Sequence, residues 1–324
     1  MKQVKTTDAV GMMLAHDHTQ IIVDQFKGVR FPKGHIIREE DIPLLLEMGK
    51  ETIFVLELEA GMLHENDAAA ILRGITMGQN LRAGATQEGK IELFAECDGL
   101  FTIDARKLFQ LNMTEYVVIS ARENHIPVKT GEKVAAMRVV PLVIEASRLA
   151  ALQSSVLNPV FEVFPYRELT AAIFVTGNEI SSGRIKDTFS PVVLKMLSTY
   201  PVEVKIVKEV GDELAAIKAE IEQAHAADID LIFCTGGMSV DPDDSTPGAI
   251  RAAGAEFVTY GTPVFPGAMF VLAYFENGTA VMGLPGGVMY ARRSILDLVL
   301  PRVIAGQRLT KSDFADMAIG GLLS

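Results

Sequence analysis

Tryptophan is absent from the 324 residues, and cysteine is nearly so. The two cysteines, Cys97 and Cys234, have no CxxC spacing, so neither a disulfide framework nor a thiolate zinc site organises this chain. Basic residues are in deficit: 30 Lys and Arg face 41 Asp and Glu, for a net charge of −11. A nucleic-acid-binding domain carries a basic patch, so this balance argues against a nucleic-acid partner. Long apolar runs are missing too, although the mean hydropathy is +0.25. Runs such as "MFVLAYF" fall far short of the ~20 residues that a spanning helix needs. The opening "MKQVKTTDAVGMM" has no apolar core of signal-peptide length. No membrane partner and a cytoplasmic location are the expectations.

What the chain does have is length and alternation. It is long enough for more than one hydrophobic core. Residues 1–58 read as a β-rich segment in which "TQIIVD" and "ETIFVLEL" flank "FPKGHIIREEDIPLLLEMGK". There Glu39, Glu40 and Asp41 precede an apolar stretch, and acids in a first turn suit a helix N-terminus. Residues 59–165 read as a small α+β domain: helical "HENDAAAILRGITMGQNL" is followed by closely spaced strand patterns. Residues 166–310 alternate strand and helix patterns at βαβ spacing, from "TAAIFVTG" through "VEVKIVKEV" and "IDLIFCTGG" to "GTAVMGLPG". That alternation predicts an α/β fold with a mostly parallel sheet covered on both faces. Residues 311–324 read as a C-terminal tail.

Three of the predicted strands end in glycine: Thr176-Gly177, Thr235-Gly236-Gly237, and the Gly283-Leu284-Pro285-Gly286-Gly287 loop. In open α/β sheets ligands lie beyond the carboxyl ends of the strands, where strand order reverses. Glycine lets backbone N–H groups approach an anion, and a following helix N-terminus adds a favourable dipole. Glycine also ends strands in α/β proteins that bind nothing there. The coincidence of three such ends, rather than any one of them, carries the functional signal.

Carboxylates crowd the same ends. Asp241, Asp243 and Asp244 lie between the Gly236-Gly237 pair and a helix that starts near Pro247. Beside an anion cradle they would repel the ligand unless a hard cation intervened, and Mg²⁺ takes one or two carboxylates together with substrate oxygens. Equally, Asp244 or Ser245 can cap the helix. After the first strand, Asn178 and Glu179 point into the expected crevice. Arg184 and Lys186 supply cationic donors, and Asp187 stands just before a helix as either a ligand or a cap.

Together, "TGNEI…GRIKD", "CTGGMSVDPDDSTP" and "YGTPVFPGAMF…VMGLPGG" resemble the molybdopterin-binding domain over about Ala171 to Ala305. That domain is shared by molybdopterin molybdotransferases, molybdopterin adenylyltransferases and a competence-damage-inducible relative. "RFPKGHII" with "LLEMGKETIFV" is similar to a further molybdotransferase segment. The resemblance implies a three-layer α/β fold in the C-terminal half, with molybdopterin, as its phosphate or adenylate, held across the loops. It places Thr176, Gly177, Asn178, Glu179, Lys186, Thr235, Gly236, Gly237, Ser239, Thr246 and Pro266 at the ligand. Gly283, Pro285, Gly286 and Gly287 match its phosphate loop. Asp187, Asp241 and Asp244 would hold Mg²⁺ and form the catalytic centre.

The implied activity is molybdotransferase-like, inserting molybdate into adenylated molybdopterin, with ATP and molybdate as further small-molecule partners and a homodimer as the assembly. The departures define the alternatives. Asn178 stands where many molybdotransferases have Asp. Val264, Phe265, Ala268 and Met269 replace lysines of a Pro-Gly-Lys-Pro step, and Gly287-Val288 replaces Asn-Pro. With the last helix so near Ser324, the family's C-terminal β domain is expected to be absent. These changes leave open a non-catalytic molybdopterin carrier or sensor, and a nucleotide pyrophosphate hydrolase of the competence-damage type.

Overall fold

A computed structural model describes residues 2–22, 26–56, 59–177, 186–238 and 245–323. The chain divides into two compact units. The first takes residues 1–96, 103–123 and 130–162, and the second takes residues 97–102, 124–129 and 163–324.

Within the first unit, the N-terminal residues build a three-stranded antiparallel sheet in the order Lys2–Lys5, Thr52–Leu56, Met13–Leu14. The short helix Ile42–Glu47 follows the acidic turn, and Leu45 joins Leu14, Phe31, Ile37, Ile53 and Val55 in one small core. Farther along, the helix Glu65–Thr76 starts where His64 Nδ1 accepts the Asn66 N–H at 3.2 Å. Its buried stripe, Ala68, Ala69, Leu72 and Ile75, recurs at helical spacing. That helix packs on a four-stranded antiparallel sheet ordered Val117–Ala121, Lys133–Val139, Lys90–Ala95, Leu81–Ala83.

In the second unit the alternating pattern becomes β1 (Leu169–Thr176), α1 (Ser190–Leu197), β2 (Val202–Val210), α2 (Leu214–Ala226), β3 (Leu231–Thr235) and α3 (Thr246–Ala252). It continues as β4 (Glu256–Tyr260), β5 (Val271–Tyr274), β6 (Ala280–Leu284), α4 (Gly287–Tyr290), α5 (Ile295–Ile304) and α6 (Lys311–Asp316). The sheet order is β2-β1-β3-β6-β5-β4. β2, β1, β3 and β6 run parallel, whereas β5 pairs antiparallel with both β6 and the edge strand β4. The sheet is therefore mixed, with its parallel part where the ligand loops were expected.

Alternate residues of the central strands enter two separate cores, as period-two geometry requires. Ala171, Ile173, Val175, Leu231 and Phe233 join Val193 and Leu197 of α1 and most of α5. Ala172, Phe174, Ile232 and Cys234 join Ile217 and Ile221 of α2 and Ala249 and Ile250 of α3. The last residues fold onto this unit rather than trailing from it. Phe314 is fully buried in the first of these cores, and Phe265 N–H donates to Gly321 O while Leu323 N–H donates to Phe265 O, both at 2.8 Å.

Candidate functional site

Strand order decides where a site can form. β1 leads to β2 on one side, and the chain then crosses back to place β3 on the other, so the order reverses between β1 and β3. Parallel neighbours end on the same edge, and their register is level: Val175 lies opposite Thr235, and Thr235 opposite Leu284. The ends of β1, β3 and β6 therefore meet at one rim, at the reversal point where a crevice is expected.

A buried hydroxyl network ties these ends together. Thr176 Oγ1 donates to Thr235 O at 3.0 Å, Thr246 Oγ1 donates to Gly236 O at 2.9 Å, and the two hydroxyl oxygens are 3.2 Å apart. Thr176, Thr235 and Thr246 thus form the floor of the rim. The Thr235 hydroxyl is buried and has no hydrogen-bond partner among the described residues. Gly236 passes so close to β1 that a β-carbon would lie 2.2 Å from Thr176 O, and its φ of +93° belongs to glycine.

Above this floor opens a cleft of about 270 Å³, lined by Phe189, Gly236, Gly237, Met238, Met269, Pro285 and Gly286. Of the residues singled out in the sequence for the ligand, Gly236, Gly237, Pro285 and Gly286 line it directly. Pro266 lies beside it, in a cis peptide with Phe265, with its Cβ 3.7 Å from where a β-carbon on Gly287 would be. Gly177 continues β1 outward and donates its N–H to Val210 O at 3.1 Å. Gly283 serves packing instead: it is buried in β6, and a β-carbon there would be 2.6 Å from Met238 Cε. Its missing side chain makes room for the methionine beside the cleft.

Asp187 holds the start of α1. Its Oδ1 accepts the Phe189 N–H at 2.8 Å and the Ser190 N–H at 3.1 Å, and its Oδ2 accepts the Ser190 hydroxyl. Lys186, next to it, is exposed. Asn178, Glu179, Ser239, Asp241 and Asp244 lie outside the described residues. Among the described residues no group of three or more His, Cys, Asp and Glu side chains is arranged to hold a metal ion.

Phe189 and Met238 carry no functional signal in the sequence. Phe189 sits inside a helix-start pattern, and Met238 is overshadowed by the glycines before it. Their side chains, with Met269, give the cleft an apolar and polarisable wall. Cys234, one residue short of the β3 end, faces the core, and burial pushes its thiol up to about 12. It is packing material, not a nucleophile. No helix among the described residues is long and apolar enough to cross a membrane.

Level strand ends, an order reversal and a cleft rimmed by glycine define an α/β domain with an open crevice at its strand ends. Residues 172–305 match the family described as "Probable molybdopterin binding domain", so the second unit carries a domain of that family. A family described as a domain of unknown function matches residues 3–57. Among curated relatives, a "Probable FAD synthase" of Caenorhabditis briggsae is 38% identical over 82 residues, covering 25% of this chain and 16% of the relative. The molybdopterin molybdenumtransferase of Staphylococcus aureus is 26% identical over 232 residues, covering 69% of this chain and 51% of the relative. This chain thus spans about half the length, or less, of these relatives. A solved molybdopterin biosynthesis enzyme MoaB from Thermus thermophilus is 22% identical with a TM-score of 0.34, covering 43% of this chain and 98% of that one.

Proposed function

We propose that the second unit, as a three-layer molybdopterin-binding fold, takes up molybdopterin or its adenylate at the rim cleft. The chain would act in molybdenum cofactor assembly, with a molybdotransferase-like insertion of molybdate into the adenylated pterin. One observation carries this reading: the glycine loops after two adjacent parallel strands, β3 and β6, line a single cleft together with Phe189, Met238 and Met269. A flat heterocycle with a sulfur-bearing side ring suits aromatic and thioether walls. The anionic end of the ligand suits the approach to backbone that Gly236, Gly237 and Gly286 permit.

The chain's own contribution is to bind, orient and desolvate the ligand. The hydroxyl network of Thr176 and Thr246 keeps the strand ends fixed while it does so. Any Mg²⁺ would rest on Asp241 and Asp244, together with oxygens of the substrate. ATP and molybdate as further substrates, a homodimer and a cytoplasmic location belong to the same proposal.

A carrier without turnover is the second reading, and a specific observation favours it. Asp187 is engaged by three donors at the start of α1, and the cleft presents Met269 instead of a cation. The full chain should first be titrated with molybdopterin, following the pterin fluorescence. It should then be incubated with molybdopterin, ATP, Mg²⁺ and molybdate. Saturable binding that Met269→Asp weakens by roughly tenfold or more supports the cleft, since an unpaired charge there is costly to desolvate. Turnover distinguishes the transferase, and tight binding without turnover the carrier. Absence of pterin binding in the unaltered chain sinks both.

A further inference from the structure

The second unit has another concavity, of about 460 Å³, lined by Pro127, Tyr200, Arg292, Arg293 and Asp297. None of these residues lines the rim cleft. The two arginines occupy the bend between α4 and α5, and both are exposed. In a chain with 41 acids against 30 Lys and Arg, some exposed arginines have carboxylate partners, such as Arg122 with Glu132, and others lie over aromatic rings, such as Arg82 over Phe94. Arg292 and Arg293 have no hydrogen bond or ion pair among the described residues.

The one acid sharing the concavity is already occupied. Asp297 Oδ2 accepts the Ser294 N–H at 2.7 Å and the Ser294 hydroxyl at 3.2 Å, closing the first turn of α5. Two guanidinium charges thus face one internally engaged carboxylate. Tyr200 adds no negative charge at neutral pH, because burial, and then the Asp297 charge, pushes its phenol up to about 12. The walls are held in place: Tyr200 packs edge-on against Tyr166 with ring centroids 5.1 Å apart, and the strand Ile126–Val128 that carries Pro127 packs against α5.

We propose that Arg292 and Arg293 form a binding site for a phosphate-type anion, distinct from the rim cleft. Planar guanidinium forks match the oxygens of a phosphate two at a time, and an adjacent pair can grip one group from two sides. The Tyr200 and Pro127 walls offer flat apolar surface for whatever carries the phosphate. A walled concavity suits a small molecule better than an extended acidic segment, which needs an open groove.

Isothermal titration of the full chain with inorganic phosphate and, separately, with AMP tests this. Both should bind, and Arg292→Gln with Arg293→Gln together should weaken both by roughly tenfold or more. Arg293→Lys should lose less than the double change, because charge without the fork is retained. Tighter binding of AMP than of phosphate identifies a nucleotide as the natural source; equal binding identifies free phosphate. Circular dichroism and the melting temperature verify that the double variant is folded. Unchanged affinity in a folded double variant overturns the proposal, as does absence of binding in the unaltered chain. A double variant that changes only the oligomeric mass, with no anion bound by the unaltered chain, assigns the pair to a protein contact and overturns it as well.

Discussion

At Gly236 the chain turns with φ +93°, and a β-carbon would lie 2.2 Å from a backbone oxygen of β1 that cannot move aside. Gly283 faces an easier neighbour, since its β-carbon would meet the flexible end of Met238 at 2.6 Å. The two glycines look alike in sequence, each at a strand end before a loop. Their substitutions should differ. Gly236→Ala should lower stability by roughly 2–4 kcal/mol and abolish pterin binding, because both steric contact and backbone strain oppose it. Gly283→Ala should cost about 1 kcal/mol, since Met238 can change rotamer. Urea unfolding midpoints of the two variants check this, and equal losses would refute the distinction. The sequence marks both positions as special but cannot say which glycine opens a site and which makes space, because that depends on atoms from other strands.

Elements were legible where local pattern suffices. The βαβ alternation identified β1, β2, β3 and β6 with the helices between them. The alternation does not reveal the antiparallel edge, although a cue exists: the connections 261–270 and 275–279 are too short for the crossover that a parallel neighbour needs. Asp187 was ambiguous for a different reason, since an acid before a helix satisfies both a cap and a metal ligand. As a cap, Asp187→Asn should retain nearly full stability, whereas Asp187→Ala should lose about 1 kcal/mol. Asp187→Asn with intact stability but lost Mg²⁺-dependent turnover would instead identify a ligand.

A second ionised group acts on the last helix. Asp313 closes the first turn of α6 through Thr310 and pairs with buried Arg302. Burial pulls its carboxyl upward, but the hydrogen bonds from Thr310 and Arg302 outweigh that and hold it below the ordinary 3.8. A depressed folded value means that the unfolded chain binds the proton first. The stabilisation is therefore complete above the unfolded value and is lost as pH falls through the folded one. Acid unfolding of Asp313→Asn should show a shallower pH dependence below about pH 4 than the unaltered chain. Identical slopes would show that the pair contributes nothing to acid stability.

On the scale of the whole molecule, the division of the chain was the least legible property. Residues 97–102 and 124–129 leave the middle segment to join the second unit, and 311–323 fold against its core, yet nothing in their local composition marks either event. Long-range packing decides both. Each unit buries its own large side chains: Leu72 in the first and Phe314 in the second are both fully inaccessible. Truncating either to alanine should cost roughly 3–4 kcal/mol through lost burial and the cavity left behind. If the units unfold as separate cooperative bodies, calorimetry should resolve two transitions. Leu72→Ala should then lower only one of them and Phe314→Ala only the other, each by roughly 5–10 °C. Pterin should raise only the transition that Phe314→Ala lowers, because a ligand stabilises the body that binds it. A single transition that both variants lower equally would mean that the chain excursions at 97–102 and 124–129 fuse the two cores into one folding unit.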